Sequence, residues 1–304
     1  MKIAILGATS HIAKDLILSF EDRHQLYLYS RRPPAVTRWI VQSNLQNYTN
    51  YDYTEFRNHI QFDAILNFVG AGDPEAIKSL GKRIFGISEA YDQMVLDYLQ
   101  DHPDCLYIFM SSGAVFGDSF PTPVNNQTRS VFPINNIQPH HYYGLAKAQS
   151  EYRHRMSDRN IIDLRIFNYF SSTANLQSQS MICGMLRSIL EGKEFVVDRV
   201  DVTRDYVGPN DFHQMINVLL NQEKINTAID LYSRLPISKD LLIEHMKERY
   251  DLRVWVRNDA VAHATGVKEN YYSTNLEAYA LGYRPTLTSI QTIFEEADKL
   301  LKCN

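Results

Sequence analysis

Four short, almost unbroken apolar runs recur in the first part of the chain: KIAIL (2–6), LYLYS (26–30), AILNFV (64–69) and CLYIFMSS (105–112). Strands apolar on both faces are buried on both faces, the condition of a parallel sheet covered by helices above and below. Helical patterns lie between them at 11–20, 75–83 and 88–100, and a further strand, IDLRIF (162–167), follows a helix over 144–157. This alternation predicts a Rossmann-type, doubly wound α/β domain over 1–169. From about residue 170 the pattern loosens. Helices are expected near 179–191, 210–221, 238–249 and 287–302, with short strands at 194–198 and 227–232. Residues 170–304 then form mainly a smaller mixed α/β substrate lobe, with part of this half returning to the first domain. Ligands of such sheets bind at the carboxyl ends of the strands.

Bulk properties remove several classes of function. The net charge of −4, without a basic face, argues against nucleic acid as a partner. Cys105, Cys183 and Cys303 are few, odd in number and far apart. They show no metal-ligand spacing, so no metal and a reducing, cytoplasmic setting are expected. The opening MKIAILGATSHIAKDL reads as a buried strand and a turn, not a signal peptide, and no run reaches membrane-spanning length.

GATSHIA (7–13) follows the first strand directly and opens the first helix. A tight turn there aims backbone N–H groups and the helix dipole at a pyrophosphate. As a glycine fingerprint it is degraded: Gly7 is the one glycine, and Ser10 and Ala13 stand where a Gly-x-x-Gly-x-x-Gly loop has its others. The second strand ends in YSRRPP (29–34). A carboxylate near this point suits the ribose 2′-hydroxyl of NAD, whereas guanidinium groups suit the 2′-phosphate of NADP. Ser30, Arg31 and Arg32 therefore favour NADP(H), although solvated arginines after a strand are common. Asp52 in NYDYTEF is a candidate acceptor for the adenine amino group.

HYYGLAK (141–147) holds a tyrosine and a lysine four apart. On a helix Tyr143 and Lys147 share a face, and Tyr142 points elsewhere. With 19 tyrosines in 304 residues, roughly one such pair arises by chance, so the pair needs support from elsewhere in the chain.

MSSGAVFG (110–117), HYYGLAK, LRIFN (164–168) and RDYVGPND (204–211) supply it, in that order. Together with GATSHIA and the closing LGYRP (281–285) they resemble the extended short-chain dehydrogenase/reductases, specifically the nucleotide-sugar epimerase/dehydratase/reductase family. The resemblance runs essentially end to end. It implies Ser112, Tyr143 and Lys147 as the catalytic set. The lysine ammonium and a cationic nicotinamide would favour the phenolate of a tyrosine whose ordinary pKa is about 10. Lys147 would also hold the nicotinamide ribose. Cofactor contacts are implied for Gly7, Thr9, Ser10, His11 and Ile12; for Ser30, Arg31, Arg32, Asp52 and Tyr53; for Phe68, Val69 and Gly70; and for Tyr143, Lys147 and Phe167. Ser112, Asn168 and Arg204 would meet the substrate, a nucleoside-diphosphate sugar, the last two at its diphosphate. An Arg204–Asp205 surface ion pair is the plainer reading of that arginine. Helices 88–100 and 144–157 resemble the family's dimer-forming pair and imply a homodimer.

The chain departs from the family pattern in two ways. Phe116 replaces the usual tyrosine of the SSGAVFG segment, and the asparagine usual in the helix after AILNFV has Gly86 as its nearest match. Gly113 and Ala114 also stand where sugar 4,6-dehydratases place an Asp-Glu pair after the catalytic serine or threonine, so dehydration is not expected. Reduction and epimerisation remain. The arginines after the second strand favour an NADP(H)-dependent reductase of a 4-keto nucleotide sugar, with an epimerase recycling bound NAD(P) as the alternative. A non-catalytic NADP sensor on the same fold is a third reading, disfavoured because such proteins usually lack the tyrosine-lysine pair.

Overall fold

In the computed structural model, which describes residues 1–20, 23–45, 48–56, 60–70, 72–257 and 268–302, seven strands form one parallel sheet. Along the chain come β1 (Lys2–Leu6), α1 (His11–Phe20), β2 (Gln25–Tyr29), α2 (Pro33–Gln42), β3 (Thr49–Tyr51) and β4 (Ala64–Asn67). They are followed by α3 (Pro74–Leu80), α4 (Arg83–Asp101), β5 (Leu106–Ser112), α5 (Tyr142–Arg155) and β6 (Ile161–Ile166). The second half contains β7 (Asn168–Tyr169), α6 (Met181–Glu191), β8 (Phe195–Val197), β9 (Thr203–Arg204), β10 (Tyr206–Val207), α7 (Pro209–Leu220) and β11 (Asn226–Leu231). It closes with β12 (Ile237–Ser238), α8 (Lys239–Tyr250), β13 (Val254–Val256), β14 (Asn270–Tyr271), α9 (Glu277–Ala280) and α10 (Ser289–Lys302).

The sheet order β11-β6-β5-β4-β1-β2-β3 reverses between β1 and β4. That switch point opens a crevice at the carboxyl edge, where doubly wound sheets bind ligands. Strand alternation sorts the core into two layers. Ile3, Ile5, Leu28, Leu66, Ile108 and Leu164 pack with Leu16, Ile17, Phe212 and Met215 of α1 and α7. Ala4, Leu6, Tyr29, Ile65, Tyr107 and Phe109 face Val95, Tyr98 and Leu99 of α4.

The strand expected at 227–232 is β11, and it lies beside β6 at the edge of the main sheet, not in the smaller lobe. Residues 170–304 are therefore divided between two cores. Phe212 and Ile229 belong to the first, while Met185, Leu242, Met246 and Ile293 of α6, α8 and α10 build the second. The helix expected at 88–100 begins earlier, at Arg83, and carries Gly86 on an exposed face. Helix α2 and strand β3 complete the βαβ pattern; α2 starts on Pro33, a residue suited to a first helical turn, where its missing N–H costs nothing. Cys105 and Cys183 are buried free thiols; Cys303 lies outside the described residues. No helix among the described residues is long and apolar enough to cross a membrane.

Candidate active site

The turn after β1 is shaped by Gly7, whose φ of +81° disfavours side chains. A Cβ there would lie 2.8 Å from the Phe68 carbonyl carbon, so the turn depends on the absence of a side chain. The Gly7 N–H donates to the Tyr29 carbonyl and to the Tyr53 hydroxyl, and the Ser10 N–H to the Gly7 carbonyl. Helical bonding begins with Lys14 donating to Ser10. The amides of His11 and Ile12 thus open the helix, as an anion cradle requires. The amides of Gly7 and Ser10 are already engaged within the turn.

The second-strand residues meet at the same edge. Ser30 is buried and its hydroxyl accepts from the Arg32 N–H at 3.2 Å, whereas the Arg31 and Arg32 side chains are exposed. Asp52 was expected at the adenine amino group; its carboxylate caps the short turn at 53–55, accepting from the Thr54 N–H at 3.0 Å and the Thr54 hydroxyl at 2.9 Å. Its side chain serves the turn first. Phe68 is buried, while Val69 and Gly70 are progressively exposed at the mouth of the crevice.

At the end of β5 three predicted residues come together. Lys147 is 5% exposed, and its Nζ donates to the Met110 carbonyl at 2.6 Å, 4.3 Å from the Phe109 ring and 6.0 Å from the Tyr143 ring. Burial pulls this amine down to about 8, against the attraction of Asp92, Asp163 and Glu151. Tyr143 lies beside Ser112; burial pushes the phenol above its ordinary value and the serine hydroxyl opposes the rise. The sequence implied a phenol lowered by lysine and a cationic nicotinamide together; in the chain alone burial is the larger influence and raises it. Tyr142 points away and packs edge-on against Phe85 of α4. Gly144 lets α5 approach this closely, since a Cβ there would sit 2.3 Å from the Ala114 carbonyl oxygen.

Asn168 and Arg204, the residues expected at a substrate diphosphate, lie on β7 and β9. The Asn168 amide donates to the Asp205 carbonyl at 3.0 Å, and pairing of β7 with β10 holds it near Arg204. Arg204 is not the partner of Asp205. The Asp205 carboxylate is buried and accepts from the Ser233 N–H and the Ser289 hydroxyl, while Arg204 Nη1 donates to the carbonyls of Thr203 and Lys268. Phe167 packs against Tyr271, whose hydroxyl is 3.1 Å from Ser112 Oγ. Phe116 sits in the same apolar cluster as Phe167 and Tyr271, with Val115, Phe120 and Val124, and under the Arg165 guanidinium.

Three residues that sequence spacing did not single out also converge. Asp118 Oδ2 lies 2.9 Å from His141 Nε2 and 3.2 Å from His140 Nε2, and the three could group around a cation. However, His141 Nδ1 accepts the Gln138 N–H at 2.9 Å. The neutral ring therefore carries its proton on Nε2 and donates it to Asp118, so Nε2 has no lone pair to offer a metal. Tyr271 and Lys268 were likewise missed, because nothing near them in sequence marks a site.

A doubly wound sheet with a glycine turn after β1, and a serine, a tyrosine and a lysine gathered near the end of β5, is the arrangement the sequence resemblance implies. A family model, the NAD dependent epimerase/dehydratase family, matches residues 3–230, and the chain belongs to that family. No curated protein matches it in sequence. Among solved structures it resembles UDP-glucuronic acid 4-epimerase from Bacillus cereus, bound to UDP-glucuronic acid and NAD, with TM-score 0.81, 16% identity and 100% of each chain covered. It also resembles UDP-N-acetylglucosamine 4-epimerase from Methanobrevibacter ruminantium M1, in complex with UDP-N-acetylmuramic acid (0.83, 14%, 100% and 99%). A third is dTDP-glucose 4,6-dehydratase from Bacillus anthracis str. Ames with NAD (0.79, 14%, 99% and 97%). At these identities the likeness establishes the fold.

Proposed function

We propose that this chain is an NADP(H)-dependent oxidoreductase acting at carbon 4 of a nucleoside-diphosphate sugar, with reduction of a 4-keto sugar as its net reaction. The convergence of Ser112, Tyr143 and Lys147 carries this reading. Tyr143 passes a proton to the sugar oxygen, Ser112 holds that oxygen in line, and Lys147 orients the nicotinamide ribose. A phenol pushed up by burial is protonated at neutral pH, the form that ketone reduction requires. When bound, the nicotinamide supplies the hydride. The amides of His11 and Ile12 would receive its pyrophosphate, and Arg31 and Arg32 its 2′-phosphate. Asn168 and Arg204 would hold the substrate diphosphate.

Dehydration is disfavoured by space as well as by sequence. A Cβ on Gly113 would lie 2.3 Å from the Phe167 ring, which leaves no room for a carboxylate beside Ser112. Epimerisation with a recycled cofactor is the second reading, supported by the likeness to two 4-epimerases. Mass spectrometry of the co-purifying nucleotide, followed by a screen of 4-keto nucleotide sugars with NADPH, separates the two. Stoichiometric NADPH consumption supports the reductase. Interconversion of 4-hydroxyl isomers without consumption replaces it with the epimerase.

A further inference from the structure

The buried amine of Lys268 is the feature this reading leaves unused. The residue is 6% exposed, and its Nζ lies 4.2 Å from the Tyr271 ring centroid and 5.3 Å from that of Phe120. It lines a small solvent-open cleft together with Tyr143, Gly144, Ala114 and Asp118. Among the described residues no carboxylate pairs with it. Asp118, the acid of the cleft, is engaged by His140 and His141. Arg204, over the same Tyr271 ring at 5.8 Å, likewise has no acidic partner among the described residues. Burial, and the neighbouring Arg204 charge, pull Lys268 down to about 7.

A desolvated amine facing aromatic rings is costly to keep charged without an anion. Two such cations lie over one tyrosine ring. Their positions differ in kind. Arg204 is held by the backbone carbonyls of Thr203 and Lys268, whereas the Lys268 amine shares its cleft with the Tyr143 phenol. In a pyranose the diphosphate hangs from carbon 1, across the ring from carbon 4, where Tyr143 acts under the proposed reaction. An anion beside Tyr143 therefore belongs to the far end of the sugar, where carbon 6 is the substituent neighbouring the reacting carbon.

We infer that Lys268 recognises a carboxylate on the hexose itself, so that the substrate class is an acidic nucleoside-diphosphate sugar of the uronic type. This rests on the nucleotide-sugar reading above. The Lys268 ammonium pairs with the sugar carboxylate, Tyr271 and Phe120 keep water from the pair, and Arg204 remains for the diphosphate.

Calorimetric titration of the whole chain with UDP, UDP-glucose and UDP-glucuronate tests it, with dTDP, GDP and CDP as controls for the base. If another base binds, the neutral and uronate sugars of that base are compared. The uronate is expected to bind about tenfold or more tighter than the neutral sugar, as for a charge-assisted hydrogen bond. Lys268→Met should erase that preference while leaving the neutral sugar within about twofold, and Lys268→Arg should restore part of it. Arg204→Ala should weaken both sugars alike. Equal binding of the two sugars by the unsubstituted chain overturns the inference without any variant. So does a Lys268→Met that weakens UDP and UDP-glucose as much as UDP-glucuronate, which makes Lys268 a diphosphate ligand. Failure to bind any of the four nucleotides overturns the nucleotide-sugar reading, and this inference with it.

Discussion

The hydroxyl of Tyr271 lies 3.1 Å from Ser112 Oγ across 159 positions of sequence. One comes from the short β14 of the second lobe and the other from the end of β5, so the two lobes meet at the serine. Tyr271 is wedged by Phe120 and Phe167 at 5.0 and 5.1 Å. The serine therefore stands between two phenols, Tyr143 on its own domain and Tyr271 on the other. Only Tyr143 shares a helical face with Lys147.

Tyr143→Phe is expected to abolish turnover with little change in cofactor affinity, and Tyr142→Phe to do far less, because the Tyr142 ring is committed to Phe85. Loss of a general acid lowers rate by roughly 10²–10⁴. Lys147→Met should damage both rate and cofactor binding. Measuring kcat and the NADPH dissociation constant for the three variants checks this. More than about a tenth of the activity left in Tyr143→Phe would reassign the proton donor.

NADP(H) is expected to bind more tightly than NAD(H), and joint Arg31→Ala and Arg32→Ala substitution to remove most of the difference. Both side chains are exposed at the end of β2, and each charge-assisted phosphate contact is worth roughly 1.5–3 kcal/mol. Fluorescence titration with both cofactors reads it directly. Equal affinity in the unsubstituted protein would assign the arginines to solvent.

Stability should fall between about pH 6.5 and about pH 9 through His154. This fully buried ring bridges Asp92 at 2.8 Å and Asp163 at 2.6 Å. Burial alone would lower it, but the two carboxylates outweigh burial and raise it to about 9. A value raised on folding stabilises the native state fully below the unfolded value near 6.5, and that contribution is lost as pH rises through the folded value. At about 1.4 kcal/mol per unit the contribution is roughly 3 kcal/mol. Urea unfolding at about pH 6 and about pH 9.5 should show this loss in the native chain and a flatter profile in His154→Gln. The same slope in both would acquit the histidine.

Sedimentation velocity at micromolar concentration should show a species of twice the 35.2 kDa chain mass. The paired helices α4 and α5 form one outer layer, joined by Arg153 bonding Asp92 at 3.0 Å, and Tyr152 in the last turn of α5 and Met156 just after it are 60% and 87% exposed. Tyr152→Glu with Met156→Glu should shift the species to monomer, since a stable dimer needs roughly 1,200 Å² or more of complementary surface. A monomer before substitution would remove the four-helix contact.

The sequence by itself determined the parallel sheet, its crevice and the pairing of Tyr143 with Lys147. Each is a matter of short-range periodicity: unbroken apolar runs bury both faces of a strand, and a four-residue spacing closes one helical turn. The order of the motifs then pointed to Ser112 as the expected third member of the set. Tertiary structure decided what depends on distant segments returning. β11 leaves the second half of the chain to pair with β6, which the pattern of residues 226–231 cannot announce, because a strand carries no record of its neighbour. The roles of Arg204 and Asp205 separated only when Ser233 and Ser289 came to claim the carboxylate. Asp118 reached His141 across 23 positions within the first domain, and Tyr271 reached Ser112 across 159 through packing of the two halves of the chain. Even the phenol's acidity was decided there, because desolvation is a property of everything that surrounds a group.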